Sequence, residues 1–284
     1  MTFSIAAWDP SGPEPEWGVA VASKFLAVGS AVSWARAGAG AVATQALANL
    51  AYGPEGLDLL AGGKDADSVV VALTGPDEGR AERQLGVVDA SGRTATYTGA
   101  ECFEWAGGVT GNGYCCQGNI LAGPQVVDDM AAAFEAASGD LATRLLEALS
   151  AGDMSGGDRR GKQSAAVLVV RENGGYGGGI DRAVDLRVDD HPDPVPELAR
   201  LLGLQRLYFP RPDDLDFLDV DEGLATELRG LLSAAGKNPG AGAGYDAGLK
   251  SALYEYVGTE NLEERWTDDA RIERGILEHL RSRT

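Results

Sequence analysis

Apolar and polar positions alternate with a period of two from the start of the chain. Thr2-Phe3-Ser4-Ile5-Ala6-Ala7-Trp8 reads as a strand that stops at the turn-rich Asp9-Pro10-Ser11-Gly12. Trp17 to Ser23 gives a second strand with Lys24 at its end. Antiparallel pairing of the two would set the end of the second beside the start of the first, within side-chain reach of Thr2. The apolar run Ala27 to Ala35 and the Gly-Ala-rich segment Gly38 to Gln45 continue the sheet or its connections. The period then becomes helical. Pro54 can open a helix that turns Leu57, Leu59 and Leu60 inward until Gly62-Gly63, and Asp65 or Asp67 can cap another carrying Val69, Val70, Ala72 and Leu73.

Alternation returns in a hairpin, Gln84 to Asp89 and Arg93 to Thr98 around Ala90-Ser91-Gly92, and in the short run Tyr114 to Asn119. Two more helices follow, one from Pro124 with Val126, Val127, Met130, Ala133 and Phe134 in register, one from Leu141 to Leu149. A loop, Gly156 to Gly161, leads into the apolar strand Gln163 to Arg171, and a glycine-rich turn returns the chain into Arg182 to Asp189. Strands, helix pair, strands, helix pair, strands is the order. Two sheets faced by helices on the outside bury it best, so an α+β fold, a four-layer α-β-β-α sandwich, is expected. Pro192, Pro194 and Pro196 mark its end after a last helix from Pro196 to Leu202. The domain division is then 1–203 for the sandwich, 204–218 for a linker and 219–284 for a small helical domain with helices near 223–234, 245–257 and 268–281.

Composition narrows the function. A hydrophobic content of 44% and 12 prolines in 284 residues fit a globular chain, and a formal charge of −19 argues against nucleic acid as partner. Cys102, Cys115 and Cys116 make no disulfide framework and no zinc spacing, and neighbours on a strand face opposite sides. No basic patch followed by an apolar run opens the chain and no stretch approaches a membrane span, so the expected address is the cytoplasm, without a membrane partner. Histidine is scarce. His191 and His279 alone make a Ser-His-Asp hydrolase or a multi-histidine metal site hard to build. Asp189-Asp190-His191 offers three ligand types, but contiguous residues on an extended chain do not converge on one ion. Neither metal nor cofactor is expected.

A nucleophile at the chain terminus needs no histidine. Thr2 is small enough for removal of Met1 to expose it, and its α-amine, titrating near pH 8, can then serve as base for its own hydroxyl. Lys24 would lower the proton affinity of that amine, unless the alternation turns Ser23 inward instead. Gly118 and Asn119, read as preceding a helix, could hold an oxyanion, or cap an ordinary turn. Asp158, Arg159 and Ser164 flank the glycine-bounded loop, where an arginine could clamp a substrate carboxylate or solvate the surface.

Several motifs carry a resemblance. Thr2-Phe3-Ser4-Ile5, Trp17-Gly18-Val19-Ala20-Val21-Ala22-Ser23-Lys24-Phe25, Gly40-Ala41-Val42-Ala43-Thr44-Gln45, Arg83-Gln84, Gln117-Gly118-Asn119-Ile120-Leu121, the run Gly156 to Ala166 and Val184 to His191 resemble the domain-of-unknown-function 1028 family over nearly all of residues 1–203. That family is grouped with the N-terminal nucleophile hydrolases. The resemblance implies their four-layer sandwich and places the nucleophile on Thr2, exposed by aminopeptidase since no leader precedes it. Tyr256-Val257-Gly258 and Glu260 to Arg265 resemble a peptidoglycan-binding-like domain found after this family. The expected activity is hydrolysis of an amide-type small molecule through an acyl-enzyme, by a protein that pairs as a homodimer. The alternative is a catalytically silent ligand- or partner-binding protein on the same fold.

Overall fold

A computed structural model describes residues 2–283 and divides the chain into two compact units, Met1–Leu202 and Gly203–Thr284. Met1 itself, whose removal the sequence leads one to expect, lies outside the described residues. The fold is mixed α+β on antiparallel sheets, with nine α-helices among the described residues.

The first unit runs β1 (Thr2–Asp9), β2 (Glu16–Ser23), α1 (Gly29–Val32), β3 (Ser33–Arg36), β4 (Gly40–Ala46), α2 (Tyr52–Ala61) and α3 (Ala66–Thr74). It continues with β5 (Arg83–Asp89), β6 (Thr94–Thr98), β7 (Gly107–Gly111), β8 (Tyr114–Asn119), α4 (Gln125–Ala136), α5 (Leu141–Met154), β9 (Ser164–Val170), β10 (Arg182–Val188) and α6 (Pro194–Tyr208), which belongs to this unit as far as Leu202. One sheet has the order β10-β9-β2-β1-β8-β7, the other β3-β4-β5-β6. Of the run Ala27 to Ala35, expected to continue the sheet or its connections, Gly29–Val32 forms a helical turn that leads into β3. Its backbone is fixed from outside, because the buried Ser164 hydroxyl accepts from Val28 N at 3.0 Å and donates to Phe25 O.

Strand alternation sorts the buried side chains into three clusters. Phe3, Ile5 and Ala7 of β1 pack with Val126, Met130 and Phe134 of α4 and Leu141, Leu145 and Leu149 of α5. Val42 of β4 and Leu85 and Val87 of β5 pack with Tyr52, Leu57 and Leu60 of α2 and Val69 and Leu73 of α3. A third cluster joins the opposite faces of the two sheets: Ala6, Val19, Val21, Cys115, Ala166 and Val170 from one, Ala41, Ala43 and Val88 from the other. Burial of alternate small and branched side chains on these faces is the main stabilising term. The close approach has one sharp requirement. A Cβ on Gly86 of β5 would stand 2.1 Å from Gln117 Oε1 and 2.8 Å from Cys115 Sγ, so only glycine fits there.

The second unit contains β11 (Phe217–Asp219), α7 (Glu222–Ala234), α8 (Ala247–Thr259), β12 (Arg271–Glu273) and α9 (Arg274–Ser282), with β11 and β12 antiparallel. Asp221 and Asp246 cap α7 and α8 by accepting from Leu224 N and Leu249 N. Leu228, Leu232, Leu253, Val257, Ile276 and Leu280 form its core. The expected linker 204–218 is corrected. α6 extends to Tyr208, Leu207 and Tyr208 pack on this core, and the Arg265 guanidinium donates to Leu207 O and Arg206 O at 2.6 and 2.7 Å. The Arg265–Glu273 ion pair, 2.7 Å apart and almost fully buried, secures the same corner. The expected helix 268–281 likewise begins only at Arg274, because Arg271–Glu273 pairs as a strand with Phe217–Asp219.

Candidate functional site

The pairing of β1 places Thr2 between two neighbours. Phe3 lies opposite Ala22 on β2, which brings Ser23 level with Thr2, and Asn119 of β8 pairs with Thr2 directly. Thr2 Oγ1 lies 3.1 Å from Ser23 Oγ. Thr2, Ser4, Gln117 and Asn119 share the face that meets the second sheet, from which Gln45 and Gln84 project towards them. At the Thr2 end, the layer is therefore filled by buried polar side chains.

The polar groups form one connected set. Ser4 Oγ donates to Gln45 Oε1 at 2.7 Å and accepts from Gln117 Nε2 at 2.6 Å. Gln84 Oε1 accepts from both Gln45 Nε2 at 2.8 Å and Asn119 Nδ2 at 3.0 Å, while Gln84 Nε2 donates to Gly118 O at 2.7 Å and Thr98 Oγ1 at 2.9 Å. Gln45 Nε2 also reaches Thr2 O at 3.5 Å, tying the network to the first residue described. Side chains of this kind are buried only when bonded. One atom is the exception: Gln117 Oε1 is buried and has no hydrogen-bond partner among the described residues. Rotating that amide would aim its oxygen at Ser4 O, which now accepts from Nε2 at 3.3 Å, so the unpaired acceptor stays where it is.

The sequence-derived candidates separate into two groups. Thr2, Ser23 and Asn119 are brought together, with exposures of 6, 2 and 2% in the chain that retains Met1. Gly118 belongs to the same strand end, but through its carbonyl, which holds Gln84. No helix follows Asn119 directly; β8 ends there and α4 starts at Gln125, so a helix terminus does not assist it. Lys24 is a correction. β2 ends at Ser23, the inward residue, and the exposed Lys24 ammonium donates to Lys162 O at 3.3 Å instead of facing Thr2. Asp158 fastens the loop. Its buried carboxylate accepts from Lys24 N at 2.7 Å and Arg160 N at 2.9 Å and pairs with the Arg160 guanidinium at 3.1 Å. Ser164 is fully buried and committed to Phe25 and Val28. Arg159 is exposed, and its backbone N–H donates to Ile120 O, one residue beyond Asn119.

A cavity of about 210 Å³ opens under the loop before β9, with Phe3 and Ala22 as floor and Ser23, Asp153, Asp158 and Lys162 on its walls. Phe3 and Ala22 face the helices, so this space lies on the other side of the β1–β2 ladder from the Thr2 hydroxyl. Burial opposes the charge of Lys162, but its bonds to Asp153 and Asp193 hold the ammonium above its ordinary range. Desolvation pushes the Cys115 thiol up to about 12 and Cys116 well above the usual range, which leaves neither a nucleophile near neutrality. His191 Nδ1 accepts from Asp193 N in an exposed turn, and Asp190 accepts from Gln163 Nε2. Among the described residues no group of three or more His, Cys, Asp or Glu is placed to hold a metal ion, and no helix is long and apolar enough to cross a membrane.

Residues 2–198, which contain every part of this arrangement, match the family model described as a family of unknown function, DUF1028. The chain belongs to the DUF1028 family. It is similar to the crystal structure of protein SPO2555 from Silicibacter pomeroyi, assigned to the same family model, at 35% identity and a TM-score of 0.66, covering 72% of this chain and 89% of that one. No match is found among curated proteins. For this DUF1028 protein the residues that reading the sequence missed are Ser4, Gln45, Gln84 and Gln117. The signal was present: each is a polar residue at the inward phase of an otherwise apolar strand.

Proposed function

We propose that this DUF1028 protein is an amidohydrolase of the N-terminal nucleophile type, with Thr2 as nucleophile once Met1 has been removed. In this reading the three core clusters are the interfaces of a four-layer α-β-β-α sandwich, and the polar end of its central layer is the active site. The observation that carries the reading is the position of Thr2 Oγ1, 3.1 Å from Ser23 Oγ and directly opposite Asn119, at the end of the inter-sheet layer where the buried Gln45, Gln84 and Gln117 gather. The freed α-amine, near pH 8 in an ordinary setting, takes the hydroxyl proton at neutral pH, and the Ser23 hydroxyl orients Oγ1. Asn119, in cross-strand register with Thr2, is the amide that can turn towards the oxyanion. Lys24 has no part.

Intact mass measurement and incubation with a β-lactone electrophile test this. The expected result is a chain shorter by methionine, with one acyl adduct on Thr2 that is absent in Thr2→Ala and retained in Thr2→Ser. A retained Met1, or an adduct that persists in Thr2→Ala, overturns it. The low exposure of Thr2 favours a second reading, a ligand-binding protein without turnover. Ligand capture by unprocessed protein with no adduct under any condition would support that one. The peptidoglycan-binding role implied for residues 219–284 is checked by co-sedimentation of the full chain with insoluble peptidoglycan.

A further inference from the structure

Loops leave the sheets at the Thr2 end after β2, after β4 and between β6 and β7. They share that end because Ser23 pairs with Ser164, Gln45 with Gln84, Gln84 with Thr98, and Gly107 with Gly118. Among the described residues of the first unit nine large apolar side chains are exposed, and five sit on these three loops: Phe25, Leu26, Leu47, Leu50 and Phe103. Single exposed apolar residues are ordinary, but a concentration at one end of the sheets marks a binding surface. Their backbones are fastened while the side chains point out. Phe25 O accepts from Ser164 Oγ, Leu47 O from Arg83 Nη1, and Phe103 O from Ile120 N at 2.9 Å.

The same end carries cations that the −19 charge of the chain does not neutralise. Arg160 is paired with Asp158, and Lys162 with Asp153 and Asp193. The Arg159 guanidinium has no hydrogen-bond or ion-pair partner among the described residues, and Lys24 Nζ meets only the Lys162 carbonyl. Arg159 N is anchored on Ile120 O, next to the residue opposite Thr2. An exposed, uncommitted guanidinium in an acidic protein favours a carboxylate, which it can bind with two parallel N–H donors.

We propose that the substrate is an N-acyl amino acid: its apolar acyl chain on the Phe25, Leu47 and Phe103 loops, its amide carbonyl at Thr2, its free α-carboxylate on Arg159. The inference rests on the Thr2 reading given above. The Thr2 hydroxyl proton passes to the α-amine as Oγ1 bonds the acyl carbon. The resulting ammonium returns that proton to the amide nitrogen as the C–N bond breaks, and the free amino acid departs. Water then cleaves the acyl-Thr2 ester, regenerating the hydroxyl and releasing the fatty acid.

Processed protein is assayed with N-octanoylglycine, with N-octanoylglycinamide, which lacks the carboxylate, and with N-acetylglycine, which lacks the apolar chain. N-octanoylglycine is expected to have the highest kcat/KM of the three. Arg159→Gln should raise its KM about tenfold with kcat unchanged, while leaving the glycinamide unaffected. Phe103→Ser should lower kcat/KM for both octanoyl compounds and not for N-acetylglycine. Equal turnover of the carboxylate and its amide, or an Arg159→Gln variant that keeps their ratio, overturns the substrate assignment while β-lactone acylation of Thr2 still upholds the nucleophile. Absence of both turnover and acylation overturns the two together.

Discussion

Replacing Ser4 by alanine is the most direct test of the polar layer. Ser4 is completely buried, and among the described residues its hydroxyl is the one donor to Gln45 Oε1 and the nearer acceptor for Gln117 Nε2, at 2.7 and 2.6 Å. Without it Gln45 Oε1 is left bare, and Gln117 Nε2 keeps only Ser4 O at 3.3 Å, in a side chain whose oxygen already lacks a partner. A buried polar atom stripped of its bond costs about 1–3 kcal/mol, so one full loss and one partial loss amount to about 2–4 kcal/mol. For a unit of this size that lowers Tm by about 4–16 °C. Urea and thermal unfolding followed by far-UV circular dichroism measure it, with Ser30→Ala as control. That exposed hydroxyl meets only Ala27 O, and its loss should change stability by less than about 0.5 kcal/mol. The pair Ser4→Ala and Gln45→Leu should be strongly non-additive, the double variant costing less than the sum. A Ser4→Ala protein within 0.5 kcal/mol of the parent, or strict additivity, would refute the claim that these side chains act as one network.

Two further outcomes follow from the titratable groups. Burial first, with Arg283 adding to it and Glu260 opposing, lowers the His279 pKa below its ordinary 6.5, while Tyr256 OH bonds its Nδ1 at 2.9 Å. A depressed folded value means that the unfolded chain binds the proton more readily, so the stability of the second unit is complete above pH 6.5 and falls as the pH drops below it. NMR titration of His279 with melts from pH 7.5 to 5 would show this, and a His279→Gln variant that keeps the same pH slope would contradict it. Cys115 and Cys116, held almost wholly as thiols by burial, should resist iodoacetamide at pH 8 in the folded protein and label fully in denaturant; native labelling at the rate of an open thiol would refute their burial.

Local periodicity was enough to read the β1–β2 hairpin, the β5–β6 hairpin, the helix pairs and the placement of Ser23 beside Thr2, since each depends on neighbours in sequence. What it could not supply is strand order. Gln45, Gln84 and Gln117 meet only because β1 inserts between β2 and β8 while β4 and β5 pair across the layer, and no local pattern dictates which distant strands face each other. The roles of Asp158, Ser164 and Lys24 stayed open in the sequence for the same reason. Asp158 holds the Lys24 backbone across 134 residues of sequence and Ser164 holds Phe25 across 139, so polar residues near the site turned out to shape its loops. Helical residues 204–208 were read as linker because what holds them lies some sixty positions further on, where Arg265 takes up the carbonyls of Arg206 and Leu207.

On the proposed function, the position of the polar groups means that they serve chemistry rather than folding. Two sheets can be joined entirely by small apolar side chains, and over most of their contact they are: Ala6, Val19, Val21, Ala41, Ala43, Val88 and Ala166 need no bonds to be buried. Replacing such residues by glutamines adds side-chain entropy to be lost and amides to be satisfied, with at best a small net gain per bond. In this chain that penalty is confined to the strand ends around Thr2, and it is incompletely relieved, since Gln117 Oε1 remains unpaired beside a glycine that must stay a glycine to accommodate it. A stabilising device would be spread along the layer and fully bonded. A set of amides gathered at one end, leaving an acceptor idle on the residue opposite Ser4, is what the proposed site would require in order to hold Thr2 in one orientation.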